Sequence, residues 1–375
     1  MVSQANGFKR VEKGAWPLTL VLGVAVACHS GSHETHGPSE PTPVRPPPAV
    51  SKSRPVSVKP AVVPKRPSPK PVNRPPRRFR IRFFSAGHGD AILMRTPGGH
   101  AVLLDAGRGN QPFLGDNLVR RRLIPFCRAQ GVRRLDAFIV SHPHWDHFGD
   151  PGALHEAFGI KRIHVNADGE HFLGGALRTF VPGLELRLLH AGRKLRFGKL
   201  LLEVLHPAID AVPAVMERNL YRQNNRSLVI RATYGRHRFL LTGDLMRHGE
   251  LRLLARGGPG RADVLKLGHH GLKTTNAAWL RAVRPRVAVA SLGAKWKKRF
   301  DALPRTIRRQ LARRRIRLFR TDRDGDVVFT SDGETLTVET HPLLTLMPAW
   351  APAWAKKAAR RKRVVSEEIP RGVDP

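Results

Sequence analysis

From Arg80 to Phe84 polar and apolar side chains alternate as Arg-Ile-Arg-Phe-Phe, the period-two pattern of a strand with one buried face. The apolar runs Ala91–Met94 and Ala101–Leu104 follow, separated by the turn Thr96-Pro97-Gly98-Gly99, so the pattern predicts an antiparallel meander. Asn117–Gln130 has helical spacing interrupted by Pro125, and Leu135–Val140 is a continuous apolar strand that runs straight into Ser141-His142. Further strands are expected at 163–165, 184–189, 200–205, 227–233, 238–242, 264–267 and 287–290, alternating with loops and a few helices. Thr306–Arg315 predicts a short, strongly basic helix, and Asp326–Thr330 with Leu336–Glu339 a closing hairpin around Ser331-Asp332-Gly333. Strands that bound helices in both halves predict an α/β protein, a layered sandwich of two sheets covered by helices.

The flanks have a different texture. Residues 1–28 have the form of an export signal, with Lys9, Arg10 and Lys13 ahead of a short apolar run from Pro17 to Ala27 that is too short to span a bilayer comfortably. The ending Ala25-Val26-Ala27-Cys28 resembles a bacterial lipoprotein signal, which would lipidate Cys28 and anchor the chain to a membrane. Because Ala25 replaces the usual Leu, cleavage without lipidation or an uncleaved anchor remain open; each implies an exported location, periplasmic or extracellular if unanchored. Residues 29–78 are dominated by Pro, Ser, Val, Lys and Arg and cannot build a core, so they are expected to form an extended tether. The folded domain is expected over 79–341, followed by a mobile or surface-docked basic tail, 342–375, containing the run Lys356–Arg363.

Charge and cysteine content narrow the partners. Lys and Arg total 66 against 29 Asp and Glu, a formal charge of +37, which favours an anionic partner: nucleic acid, phospholipid headgroups or a wall polymer. The excess is spread along every segment and no nucleic-acid-binding module accompanies it, so charge alone selects none of these. No protein partner is inferable. Two cysteines exclude a disulfide framework, and Cys127, on a predicted helix with no His or Asn near it in sequence, reads as a small buried apolar side chain.

The strongest chemical signal is Ser141-His142-Pro143-His144-Trp145-Asp146-His147, at the end of an apolar strand and before a Gly-rich loop. In an extended segment residues two apart point the same way, so His142 and His144 can grip one ion while the following turn swings Asp146 and His147 toward a second. Imidazole and carboxylate donors suit Zn2+, one or two ions, with Mn2+ or Fe2+ acceptable.

This segment resembles the His-x-His-x-Asp-His signature of the metallo-β-lactamase superfamily. Gly87-His88-Gly89-Asp90-Ala91, Leu104-Asp105-Ala106-Gly107, Asn224-Asn225-Arg226-Ser227-Leu228, Leu241-Thr242-Gly243-Asp244 and Leu265-Lys266-Leu267-Gly268-His269-His270-Gly271 resemble successive motifs of one branch. That branch includes the C-terminal hydrolase domain of ComEC-type competence proteins, and the likeness runs from about Arg80 to about Glu339. It implies a four-layered αββα sandwich with Asp244 bridging two metals. One of His269 and His270, with His269 slightly favoured, would complete the second site beside Asp146 and His147. Asp105 would sit behind the metal loop and orient it. The first metal's third ligand is left to Asn225, or to His206, which reads better as a structural strand-end residue. Lys266 is expected to pack its stem on a strand end. Leu272 stands where the branch has Ser, and Lys295–Phe300 where it tends to carry a further His-Pro.

The implied activity is metal-dependent hydrolysis by a metal-bound hydroxide that Asp146 orients, with Asn225, Lys273 and Thr274 contacting a phosphate-like group. The leading expectation is a phosphodiesterase or extracytoplasmic nuclease. β-Lactam, thioester or other ester hydrolysis is the alternative enzyme class, and an anchored polyanion-binding protein with a structural metal the non-enzymatic one. A di-iron flavoprotein is disfavoured, since those relatives place Glu where His144 stands.

Overall fold

The computed structural model describes residues 77–87, 89–109, 117–209, 219–272, 274–293, 303–341 and 367–370. The export signal, Cys28, all of the tether but its last two residues, His88, Lys273, Lys295–Phe300 and most of the tail lie outside the described residues.

Among the described residues sixteen strands form two mixed sheets. The first half of the chain supplies β1 (Phe79–Phe83), β2 (Ala91–Arg95), β3 (Ala101–Ala106), β4 (Ala137–Val140), β5 (Arg162–Val165) and β6 (Glu185–Leu188). The second sheet takes β7 (Lys194–Phe197), β8 (Leu200–His206), β9 (Val229–Tyr234), β10 (His237–Leu241), β11 (Val264–Lys266), β12 (Val287–Ala290) and β13 (Arg317–Arg320). The chain then returns to the first sheet with β14 (Asp326–Ser331), β15 (Leu336–His341) and β16 (Glu367–Glu368). The orders are β16-β15-β14-β1-β2-β3-β4-β5-β6 and β13-β12-β11-β10-β9-β8-β7. Strands β3 to β6 and β10 to β13 run parallel within their sheets.

Period-two alternation sorts the apolar residues into three layers. Phe79, Ile81, Phe83, Ile92, Met94 and Ile139 face Leu202, Ile230, Phe239, Leu241 and Val289 between the sheets. The opposite faces of β2 to β5, carrying Leu93, Leu103, Phe138 and Val165, are covered by α1 (Ile124–Ala129), α2 (Pro151–Phe158) and α3 (Ala167–Phe180). The outer face of the second sheet, with Leu240, Leu265 and Ala288, is covered by α4 (Arg247–Ala255), α5 (Ala277–Val283) and α6 (Arg305–Arg313). Three apolar layers between four structural ones make the αββα sandwich. Central strands such as β2 and β3 are buried on both faces, which is why their sequences are continuous apolar runs.

Two local departures from the sequence expectation have physical causes. The helix expected over Asn117–Gln130 is a π-helical turn, Val119–Leu123, that passes into α1 with Pro125 in the new helix's first turn. Proline has no N–H to give the preceding turn, so the hydrogen-bond ladder reorganises ahead of it. In the tail, β16 pairs antiparallel with β15, and Ile369 is buried in the inter-sheet core. No helix among the described residues is long and apolar enough to cross a membrane.

Candidate metal centre

The carboxyl ends of the parallel strands in both sheets converge on one site, the place where open α/β sheets bind ligands. Asp105 lies at the end of β3, Ser141–His147 follow β4, Asp244 follows β10, and β11 ends in Lys266 just ahead of Gly268–His270. Close approach is secured by glycines. At Gly89 (φ +136°) a Cβ would lie 2.3 Å from the Asp146 carbonyl oxygen, and at Gly243 (φ +47°) 2.8 Å from Ser141 Oγ.

Asp105 organises the loop after β4. Its Oδ1 accepts from the Ser141 N–H (2.7 Å), and Oδ2 accepts from Ser141 Oγ (2.8 Å) and pairs with His147 Nδ1 (2.9 Å). Burial raises the Asp105 pKa above the ordinary carboxylate value even though His147 pulls it down. The His147 ring is thereby fixed with Nε2 turned into the site, 3.4 Å from Asp244 Oδ1 and 4.0 Å from Asp146 Oδ1. His142 Nε2 lies 3.9 Å from Asp244 Oδ2, and His270 Nε2 lies 3.4 Å from Asp244 Oδ2 and 3.9 Å from Asp146 Oδ2. Asp90, at the head of β2, joins from the other side, with Oδ2 2.5 Å from Lys266 Nζ and Oδ1 3.8 Å from His270 Nδ1.

These donors fit a metal. Two N or O ligands of one tetrahedral zinc sit about 3.3–3.5 Å apart, close to the spacings around Asp244. The atoms His142 Nε2, His147 Nε2 and Asp244 Oδ1 are buried with no hydrogen-bond partner, a costly arrangement unless something else coordinates them. Among the described residues four overlapping groups, His142/His147/Asp244, Asp146/His147/His270, Asp90/Asp244/His270 and Asp90/Asp105/His147, each bring ligand atoms within 4.8 Å of one another. Asp244 belongs to the first and third and could offer one oxygen to each, whereas His147 offers the first two its Nε2 and the fourth only the Nδ1 that Asp105 already holds.

The charge balance agrees. Asp90, Asp105, Asp146 and Asp244 are all buried, against the single fixed positive charge of Lys266 among the described side chains they pair with. Burial works against protonated His147, but Asp244 and Asp105 outweigh it and hold its pKa well above the ordinary value. Burial and the neighbouring imidazoles His147 and His144 hold His142 well below it. For Asp244, burial is outweighed by His270 and His147, leaving its pKa well below the ordinary value. His142 is thus a neutral donor and Asp244 an anionic one, the states a metal requires, and an ion would displace the His147 proton.

Several residues stand differently from the sequence expectation. The ring among the carboxylates is that of His270. His269 is turned away, its Nδ1 3.1 Å from the Leu272 carbonyl, and both residues adopt positive φ in a tight 3-10 turn that separates their directions. His144 packs its ring 4.4 Å from that of His142, but its Nε2 meets Gln223 Oε1 at 3.1 Å, and it stands outside the four donor groups. His206 donates from Nε2 to the Asn225 carbonyl and stands outside them too. Asn225 is built into the scaffold, its Oδ1 accepting from Gly249 N and its Nδ2 donating to Tyr221 O. Thr274 donates to the buried Glu250 carboxylate, which also accepts from the Thr275 and Asn276 N–H groups, so its hydroxyl shapes the loop after His270. Asn225 and Thr274 still line an open cavity of about 810 Å³ between α4, α5 and α6. Lys266 departs most from expectation: its ammonium is fully buried in the site, donating to the Gly243 carbonyl at 2.9 Å.

Neither Asp90, which the sequence places only within the Gly87–Ala91 motif, nor Gln223 was expected at the site. Asp90 had a signal, a carboxylate after two close glycines at the head of an all-apolar strand; Gln223 had none. Cys127 is buried, and burial pushes its thiol up to about 12, in keeping with a packing role.

The two sheets, their helical covers and this histidine–aspartate cluster define a metal-dependent hydrolase fold. The sequence profile described as "Metallo-beta-lactamase superfamily" matches residues 85–294, and the chain belongs to that superfamily. Its curated relatives are ComEC-type competence proteins. It is 29% identical over 281 residues to ComE operon protein 3 of Bacillus subtilis (strain 168), covering 70% of this chain and 34% of that protein. It is 30% identical over 257 residues to Competence protein ComA of Neisseria gonorrhoeae, covering 68% and 33%. The chain thus spans about a third of the length of these relatives. Among solved structures, the metallo-beta-lactamase fold protein YhfI from Bacillus subtilis matches with a TM-score of 0.42 and 15% identity, covering 64% of this chain and 95% of that one.

Asp105→Asn should leave the fold intact and weaken metal binding, probed with zinc, about 10–100-fold, the usual effect of losing the residue that orients a ligating histidine. Competition with a chromogenic chelator measures it, and an unchanged affinity would mean that Asp105 does not set the His147 ring.

Proposed function

We propose that this protein is a zinc-dependent phosphodiesterase acting outside the cytoplasm, with nucleic acid as its substrate class. The observation that carries the reading is the buried donor cluster combined with one carboxylate nearer to solvent: Asp146 is 6% exposed, against 0%, 1% and 2% for Asp90, Asp105 and Asp244. A bound ion would supply Lewis-acid activation of water and of the scissile phosphoryl group. His142, His147, Asp146, Asp244 and His270 would hold it. Asp146, facing both His147 and His270, takes the proton of the attacking water on a carboxylate oxygen and orients that water. Asp105 keeps the His147 Nδ1 proton in place, so that the Nε2 lone pair stays directed at the site. Lys266, fixed by the Gly243 carbonyl, draws Asp90 and Asp244 inward and limits the negative charge an anionic substrate meets.

The net charge of +37 and the ComEC-type relatives support a polyanionic substrate. Export, with lipid attachment at Cys28, belongs to the same proposal and rests on the signal-like residues 1–28.

The test is metal content together with hydrolysis of bis-p-nitrophenyl phosphate by the full chain and its His142→Ala variant. Zinc or manganese near two equivalents, with turnover that falls at least about 10²-fold in the variant, is the expected result. Bound metal without turnover would move the substrate to a lactam, thioester or carboxylic ester. No bound metal would favour an anchored polyanion-binding protein.

A further inference from the structure

We propose that the exposed face of α6 is a docking surface for the phosphodiester backbone of a nucleic acid, which it leads toward the metal centre. Naming nucleic acid as the occupant rests on the phosphodiesterase reading; the surface itself rests on α6.

Arg305–Arg317 contains seven arginines and no acidic residue. Ile307 and Leu311 anchor the helix in the core beneath the second sheet's outer face, which turns Arg305, Arg308, Arg309 and Arg313 to solvent. No described carboxylate pairs with any of these four, whereas Arg82, Arg226 and Arg317 all have acidic partners. Arg305, Arg309 and Arg313 follow one another at four-residue spacing, so they share a face and span about 12 Å of helix. One strand of a duplex presents three to four phosphates over about that length. Planar guanidinium forks suit phosphate oxygens.

The helix also begins next to the site. Leu303, two residues before α6, packs against Gly271 so closely that a Cβ on that glycine would lie 2.1 Å from Leu303 Cδ1. Gly271 directly follows His270, so the row of arginines starts beside the metal loop. The cavity between α4, α5 and α6 opens along the same helix, lined by Thr306, Ile307 and Gln310. A membrane surface is a poorer match, because a helix lying in a bilayer interface presents an apolar face to the lipid, and here the apolar face is used by the core.

The experiment compares the full chain with R305Q/R309Q/R313Q and with R128Q/R193Q/R196Q, which removes the same charge from exposed arginines elsewhere. Binding to a cleavage-resistant phosphorothioate oligothymidylate is followed by fluorescence anisotropy over a range of salt, alongside bis-p-nitrophenyl phosphate hydrolysis. Three lost phosphate contacts should lower the magnitude of the log Kd against log salt slope by about 2 and weaken binding at about 0.1 M salt at least tenfold. The control triple should shift both far less, and hydrolysis of the small diester should not change in either. Equal effects of the two triples, or no effect of the α6 triple, would overturn the proposal by reducing the surface to general charge. So would loss of binding to phosphatidylglycerol vesicles in the α6 triple with oligonucleotide binding retained. If the wild type cleaves no phosphodiester but the α6 triple alone loses the oligonucleotide, the docking surface stands and the catalytic reading fails.

Discussion

On the zinc phosphodiesterase reading proposed above, Asp244→Ala is expected to abolish zinc-dependent stabilisation and to lower diester hydrolysis at least about 10³-fold. Asp244 is the residue that both histidine-bearing strand ends address, with His147 Nε2 at 3.4 Å from one oxygen and His270 Nε2 at 3.4 Å from the other. Its loss takes a donor from two of the four ligand groups at once, including the one that contains His142, whereas Asp146 belongs to a single group. Lewis-acid catalysis contributes several kcal/mol of transition-state stabilisation, and about 4 kcal/mol corresponds to a thousandfold in rate. Without metal the variant should be less stable than the wild type, because Asp244 is the buried anionic partner of His147 and His270 and its removal leaves them uncompensated. Differential scanning fluorimetry with and without zinc separates these effects. A variant that keeps the zinc-dependent shift would show that the metal is held elsewhere.

Most of the fold was legible because its signals are local. Period-two alternation marked β1, apolar runs marked β2 to β4, and turn chemistry fixed the hairpin between β14 and β15. What escaped depended on contacts distant in sequence. Glu367–Glu368 carries no apolar pattern, yet it pairs with β15, and Ile369 seals the core. At the site, the His142–His147 segment was visible because chemistry is packed into one loop. The choice between His269 and His270 was not, because adjacent residues in a tight turn point apart according to φ and ψ rather than identity. Lys266 looked like a strand-end side chain lying along apolar surface, the usual behaviour of lysine. Only the arrival of Asp90 from β2, far away in sequence, turns it into a buried counter-ion.

That counter-ion carries the second large effect: in the presence of chelator, Lys266→Met should destabilise the fold by about 3–5 kcal/mol, the usual result of removing one partner from a buried ion pair. Asp90 is fully buried; burial acts to raise its pKa, and Lys266, with help from His270, outweighs this and brings it below the ordinary value. Methionine fills the stem's volume but leaves the Asp90 carboxylate and the Gly243 carbonyl without their ammonium. Asp90→Asn added to Lys266→Met should recover at least about half of the loss, because a buried pair replaced as a unit often costs little. Urea unfolding of the two single variants and the double gives the coupling directly. Zinc should restore the Lys266→Met protein more than it stabilises the wild type, because the Asp90, Asp244 and His270 donors within 4.8 Å of one another then form an additional cation site. A Lys266→Met protein less than 1 kcal/mol below the wild type in chelator would mean that water or a neighbouring histidine, rather than this ammonium, balances Asp90.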